Sequence, residues 1–224
     1  MIPASIPTND IERAPVRSLA ERAYLDLEEM LVTLQLKPGQ LLQEKDLAHA
    51  VGIGRTPVRE AVQKLAGCGL LIVLPRKGLM VAPVLRSELS KIIEARRVLE
   101  RLLVVKASER ADSDQRGALE SLATHIEQSS EDLSSFLRLD RRLDELLEQA
   151  CGNQYLVQAL SPMHAHCRRL WYLNRQRLDL SESASLHAGL ARSVAHSDGS
   201  GAIRSLNGII SALEDQVGSL DAIS

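Results

Sequence analysis

Five side chains, three opening one short segment and two at a nearby turn, carry the clearest chemistry in the sequence. Arg55, Thr56 and Arg59 lie in the run Arg55-Thr56-Pro57-Val58-Arg59-Glu60-Ala61, and Arg76-Lys77 separate two apolar runs. An arginine can grip guanine O6 and N7 through two parallel bonds, worth about 1–3 kcal/mol of discrimination between bases. A helix beginning at these residues adds N–H groups and a dipole that favour phosphate. For any one arginine alone, a solvated surface charge explains as much. The elements that must position all five decide between the two readings.

Those elements can be read from apolar spacing. Leu19, Ala23, Leu27, Met30, Leu31 and Leu34 recur at helical period, with Ser18 as N-cap and Lys37-Pro38-Gly39 as the stop. Gln43–Ala50 reads as a short helix with Leu47 and Ala48 inward, and Val51-Gly52-Ile53-Gly54 as a turn. The next helix is expected to start at Thr56, with Thr56 capping and Pro57 in the first helical position. Val58, Ala61, Val62 and Leu65 form its apolar face, and Gly67 and Gly69 stop it. Leu70–Leu74 and Leu79–Ala82 flank Pro75-Arg76-Lys77-Gly78, the pattern of a β-hairpin with a cationic tip. Helix, short helix, turn, helix and basic hairpin is the order of a winged helix-turn-helix, whose second helix enters the major groove N-terminus first. Charge agrees: Lys37 to Arg86 carries a net +5, the rest of the chain −7.

From Ser87 onward the period is helical throughout. The expected helices are 87–110, 113–129, 131–150, 154–178, 182–197 and 199–218, with Pro162 kinking or interrupting the fourth. The fold class is therefore mostly α: a flexible tail over 1–16, a winged helix-turn-helix over 17–84, and an all-helical bundle over 87–218. Aromatics amount to 2%, which disfavours an all-β fold and a stacking platform for single strands. No apolar run approaches the ~18 residues needed to span a bilayer, and Met1–Ala14 lacks a signal-peptide pattern. Cys68, Cys151 and Cys167 are widely spaced and form no CxxC. A reduced, cytoplasmic protein is the expectation.

Leu41–Ala48, Gly54–Ala61, Gly69-Leu70 and Arg76-Lys77-Gly78, preceded by Pro38-Gly39, resemble the DNA-binding domain of GntR-family bacterial transcription regulators. Gly54 stands where that family commonly has serine. The resemblance implies Lys45, Arg55, Thr56, Arg59, Lys77 and Gly78 as DNA contacts; Arg76 is added from its place on the hairpin. Arg96, Glu100, Asp140-Arg141, Gly152-Asn153, His187, Asp198 and Ala202 resemble the helical effector domain (FCD) of the FadR-type branch.

That second resemblance implies a small-molecule effector, commonly a carboxylate, and a divalent metal (Zn²⁺, Mn²⁺ or Mg²⁺) held by an aspartate and three histidines. Asp140 and His187 match, but Asp144 and Ile209 stand where two histidines are expected. An Asp140, Asp144, His187 site is chemically feasible; the alternative is an acidic helix face and a core histidine. Arginine is a natural carboxylate clamp. Arg96 lies among Ile92, Ile93, Leu99 and Leu103, and His164 shares a helix face with Arg168. Arg96 paired only with Glu100 is the alternative reading. The function these expectations assemble is a ligand-responsive, DNA-binding repressor of a carboxylate or related metabolite pathway. It would be a homodimer on a pseudo-palindromic operator, without membrane contact and without enzyme activity. The competing readings are a metal-dependent hydrolase built on the helical part, and a helical scaffold whose basic patch binds other acidic partners.

Overall fold

The computed structural model describes residues 18–220, so the expected tail over 1–16 lies outside the described residues. The first helix, α1 (Leu19–Val32), starts in a reciprocal cap. Ser18 Oγ accepts from the Glu21 N–H at 3.1 Å, and the Glu21 carboxylate accepts from the Ser18 N–H at 2.8 Å. Ala23, Leu27 and Leu31 are buried along one face. The helix ends well before Pro38. The Thr33 hydroxyl and N–H both bond the Glu29 carbonyl, Leu34 turns left-handed (φ 56°), and the Leu36 N–H reaches back to Met30 O at 3.0 Å. Backbone turning, not the Pro-Gly pair, stops it.

The rest of this N-terminal head comprises β1 (Leu41–Leu42), α2 (Glu44–Val51), α3 (Arg55–Gly67), β2 (Leu71–Leu74) and β3 (Gly78–Val81). The sheet order is β1-β3-β2, antiparallel, with Leu42 opposite Leu79 and Leu71 opposite Val81. Strand β1 is not foreseeable from apolar pattern: two residues are too few to show alternation. The start of α3 differs too. Gly54 is the N-cap, with extended backbone and no side-chain cap bond, so Thr56 does not cap. Pro57 is the third helical residue, where its missing N–H still costs nothing because the first four have no intrahelical partner. Val58, Ala61, Val62 and Leu65 are buried as expected.

Behind the head lie α4 (Arg86–Arg110), α5 (Ser113–Gln128), α6 (Leu133–Cys151), α7 (Gln154–Leu173), α8 (Leu180–Ala195) and α9 (Gly199–Gly218). Five of the six starts are marked by Asp112, Asp132, Asn153, Asp179 and Asp198, each accepting a backbone N–H of its helix's first turn. Pro162 lies inside α7 without interrupting it, and α7 ends at Leu173 rather than 178.

Two apolar cores result, one in the head and one in the bundle, and α7 joins them. Its Ala165 packs in the head core. His166 Nε2 lies 2.9 Å from the Cys68 carbonyl, and Arg169 Nη2 donates to the Ala82 carbonyl at 2.8 Å. No helix among the described residues is long and apolar enough to cross a membrane.

Candidate nucleic-acid interface and buried ion cluster

Four of the head's exposed cations share one groove of about 440 Å³. Lys45 lies in the first turn of α2, Arg55 and Arg59 in the first turns of α3, and Arg76 in the β2–β3 turn; all four line that groove, as does Gly78. Thr56 and Lys77 are exposed but do not line it. The first turn of α3 contains no acid, so its positive N-terminal field is not neutralised. Arg59 bonds Glu44 of α2 at 3.0 and 3.1 Å, which fixes its guanidinium across the helix pair.

The hairpin is tied to α2 rather than left to swing. Gln43 Nε2 donates to the Lys77 carbonyl at 3.1 Å. At Gly78 φ is +101°, and a Cβ there would lie 2.6 Å from the Leu42 carbonyl oxygen. Glycine is therefore required by backbone geometry, which aims Arg76 and Lys77.

The second constellation is buried in the bundle. Arg96 and Glu100 on α4, Asp140 and Asp144 on α6, and His164 and Arg168 on α7 are each four residues apart, and His187 comes from α8. All seven are less than a tenth exposed. Four-residue spacing places each pair on one helix face, so three helices turn charge inward together. Arg96 grips Glu100 with two bonds, from Nε to Oε2 and from Nη2 to Oε1 at 3.1 Å. Arg168 Nη1 lies 2.5 Å from Asp144 Oδ2 and 3.3 Å from Asp140 Oδ2. His164 Nδ1 sits 3.0 Å from Asp144 and its Nε2 3.6 Å from Glu100, at ion-pair distance but off the line of a good hydrogen bond.

Burial opposes charge on His164, yet Asp144, with help from Glu100, outweighs it and lifts the pKa to about 9. Burial likewise opposes ionisation of Glu100, but Arg96 and His164 prevail and hold it at about 2. His187 behaves differently. Burial pushes its pKa down, its Nδ1–H donates to the Ser183 carbonyl at 2.6 Å, and its ring meets Phe136 and Trp171 edge-on at 5.1 and 5.0 Å.

One partner escapes sequence reasoning. Glu28 of α1 is buried, pairs with Arg141 and lies 3.7 Å from Arg168. No sequence signal singles it out; the fold shows that Val32, four residues on, packs in the bundle core while Leu27 and Leu31 pack in the head core. One helix thus buries two faces.

The donor set does not fit a resident divalent metal. Ile209 offers no ligand atom, and Arg168 Nη1 already sits between Asp140 and Asp144. His187 Nε2, without a hydrogen-bond partner, faces Asp140 Oδ1 at 3.3 Å, so only two of the four implied positions meet. Among the described residues the trio that converges is instead Glu100, Asp144 and His164, with ligand atoms within 4.8 Å of one another. Two of these are already engaged, Glu100 by Arg96 and Asp144 by Arg168. Arg96, Arg141, Arg168 and protonated His164 balance Glu28, Glu100, Asp140 and Asp144. An added dication would force a proton or a guanidinium out.

Residues 19–81 match the family described as bacterial regulatory proteins, gntR family, and residues 91–212 match the FCD domain. The chain is 30% identical to the HTH-type transcriptional regulator McbR of Escherichia coli (strain K12) over 165 residues, 65% of this chain and 75% of that one. It is 29% identical to the uncharacterized HTH-type transcriptional regulator YdhC of Bacillus subtilis (strain 168) over 163 residues, 70% and 72% of the two chains. The solved structure of E. coli McbR/YncC superposes with a TM-score of 0.74 at 25% identity, covering 88% of this chain and 95% of that one. These relatives are regulators, not enzymes, which removes the hydrolase alternative. A winged head with four cations on one groove, backed by a helical bundle, thus has its place: the chain belongs to the GntR family, FCD branch, and is a DNA-binding transcription regulator.

Proposed function

We propose that this regulator is a ligand-responsive repressor that binds a pseudo-palindromic operator as a homodimer. Its head spans 17–84 and its effector and dimerisation domain 87–218. The observation that carries the DNA assignment is the convergence of Lys45, Arg55, Arg59 and Arg76 on one groove. Arg55, at the tip of α3, reads base edges. Lys45, Thr56, Arg59, Arg76 and Lys77 hold phosphates, and Gly78 keeps the hairpin in register. Phosphate contacts orient such a module and base contacts specify its site.

A single head reads few base pairs, so specificity needs two copies. Val98 and Leu102, one turn apart on α4, are 69% and 45% exposed. An apolar stripe of this kind on a bundle surface suits a second copy of the chain.

The effector role falls to Arg96, Asp140, Asp144, His164, Arg168 and His187. Apolar residues of similar volume would commonly stabilise a core as well as or better than buried ion pairs do. So many titratable groups in one place mark a working site. A carboxylate effector replaces Glu100 on Arg96, or Asp144 on Arg168, as the anionic partner. Arg168 supplies the positive charge a metal would bring, so the response needs no metal. A thermal-shift screen of metabolite carboxylates, with and without EDTA, tests this, since a ligand that binds only the native state raises its apparent stability. The expected hit is EDTA-insensitive and lost in Arg96→Ala, while DNA binding persists. Normal induction of Arg96→Ala, or a hit abolished by EDTA, contradicts the assignment.

A further inference from the structure

A groove of about 460 Å³ opens between α1 and α6, with Arg168 of α7 on its lining. Its walls come from different domains: Arg22, Asp26 and Glu29 on α1, and Arg138, Arg141 and Arg142 on α6. Counting Arg168, five arginines face three carboxylates, the third being Glu145.

Pairing uses up half of these charges: with Arg168 held by Asp144 and Asp140, the lining charges left without an ion pair among the described residues are Arg22 and Arg138, on opposed walls, and Asp26 and Glu29 on α1. Arg142 is held by Glu145 at 3.0 Å and Arg141 by Glu28. Arg22 on the head wall and Arg138 on the bundle wall are exposed and have no ion pair among the described residues; Arg138 donates to Ser135 Oγ at 2.9 Å. Arg168 is 7% exposed, and its Nε has no hydrogen-bond partner. Leu25, Val32 and Leu137 supply apolar lining between these cations. The volume is that of a small-molecule site, and a few charged groups around an apolar floor is how such sites are built. Guanidinium forks on opposed walls suit an organic molecule with an anionic group at each end.

We propose that this groove is an effector site for a small organic molecule bearing two or more anionic groups, carboxylate or phosphate, and that its occupancy holds the head docked on the bundle. The proposal rests on the ligand-responsive reading above, but on different residues. A ligand touching both walls finds its complete site only in the docked arrangement. Its affinity therefore differs between docked and released heads, which is the condition for coupling to DNA binding. Arg168 belongs to both the groove and the buried cluster, so the two sites share one guanidinium.

The test uses the full chain with citrate and inorganic pyrophosphate as probes, which separate the carboxylate and phosphate sources. Acetate and sodium chloride at matched ionic strength serve as controls. Thermal shift and calorimetric titration are read on the wild type, Arg22→Ala, Arg138→Ala and Arg96→Ala, the first two being exposed positions that leave folding intact. At least one probe is expected to raise the melting temperature beyond the salt control and to slow amide exchange in α1. Arg22→Ala and Arg138→Ala are each expected to weaken that binding about tenfold, the worth of one lost charge-assisted bond. Arg96→Ala is expected to leave it unchanged, so failure of the buried-cluster reading stays distinguishable. No response to either probe overturns the proposal, as does binding that survives both surface substitutions. Loss in Arg138→Ala with none in Arg22→Ala confines the site to the bundle and overturns the docking role. Loss in Arg96→Ala moves the binding to the buried cluster and overturns the groove.

Discussion

Gly78 and Gly54 show how differently two glycines of one module are used. At Gly78 the left-handed φ, and a Leu42 carbonyl oxygen 2.6 Å from where a Cβ would sit, leave no room for a side chain. Gly78→Ala is expected to cost about 2 kcal/mol or more, lowering the melting temperature and, by misplacing Arg76 and Lys77, the DNA affinity. At Gly54 the backbone is extended and nothing lies within 4 Å of a Cβ. Gly54→Ser restores a side-chain cap and is expected to raise stability by about a few tenths of a kcal/mol, measured by urea denaturation; destabilisation would show that the position needs glycine. At this scale the sequence is informative wherever a residue's type matches its task. Arg55, Arg59, Arg76 and the three pairs spaced by four can all be found from spacing. Glu28 cannot, because its partners Arg141 and Arg168 lie far along the chain and only the tertiary fold brings them near.

Helices α4, α6 and α7 meet through charge, so their packing responds to pH. The His164 pKa of about 9 exceeds its ordinary 6.5. A raised value stabilises the fold fully below 6.5, and the gain is lost as pH rises through about 9. At about 1.4 kcal/mol per pKa unit, the loss is up to roughly 3 kcal/mol. Glu148 is lifted to about 7, chiefly by burial and then by Asp144. Its penalty on the fold builds as pH rises from 4.5 and is nearly complete by neutral pH. The interval from 7 to 9 therefore reports mainly on His164. Urea midpoints are expected to fall across that interval in the wild type and to stay nearly level in His164→Asn; parallel curves would contradict the protonated ring. Toward acid, Glu100 at about 2 contributes above 4.5 and loses its contribution as pH falls through about 2. Element identities are largely legible because apolar period is clear in most long helices; it is weakest in α4, which buries Arg96 and Glu100 and exposes Val98 and Leu102. The ends are less so. The stop of α1 depends on a left-handed Leu34, which side-chain type does not advertise, and β1 exists only because β3 offers it a partner.

For the whole molecule, what matters is how one chain joins its head to its bundle. Ala165, His166 and Arg169 of α7 dock the head, and burial without an ion pair lowers the Arg169 pKa to about 10. No local pattern announces such a joint, since it depends on two domains meeting. Lys45, Arg55, Arg59 and Arg76 of the head are exposed to solvent. If Val98 and Leu102 form the contact between copies, Val98→Glu with Leu102→Glu is expected to yield monomers by light scattering and to weaken operator binding about a hundredfold or more. A dimer unchanged by both substitutions would place the contact elsewhere. The central claim is that Arg55 at the tip of α3 reads sequence while its neighbours hold the backbone. It is tested by fluorescence anisotropy on a duplex selected by the protein and on a random duplex, across a salt series, for wild type and Arg55→Ala. Affinity is expected to fall steeply and linearly in log–log form with salt, and Arg55→Ala to cut the preference for the selected duplex about five- to a hundredfold. An undiminished preference in Arg55→Ala would contradict the account.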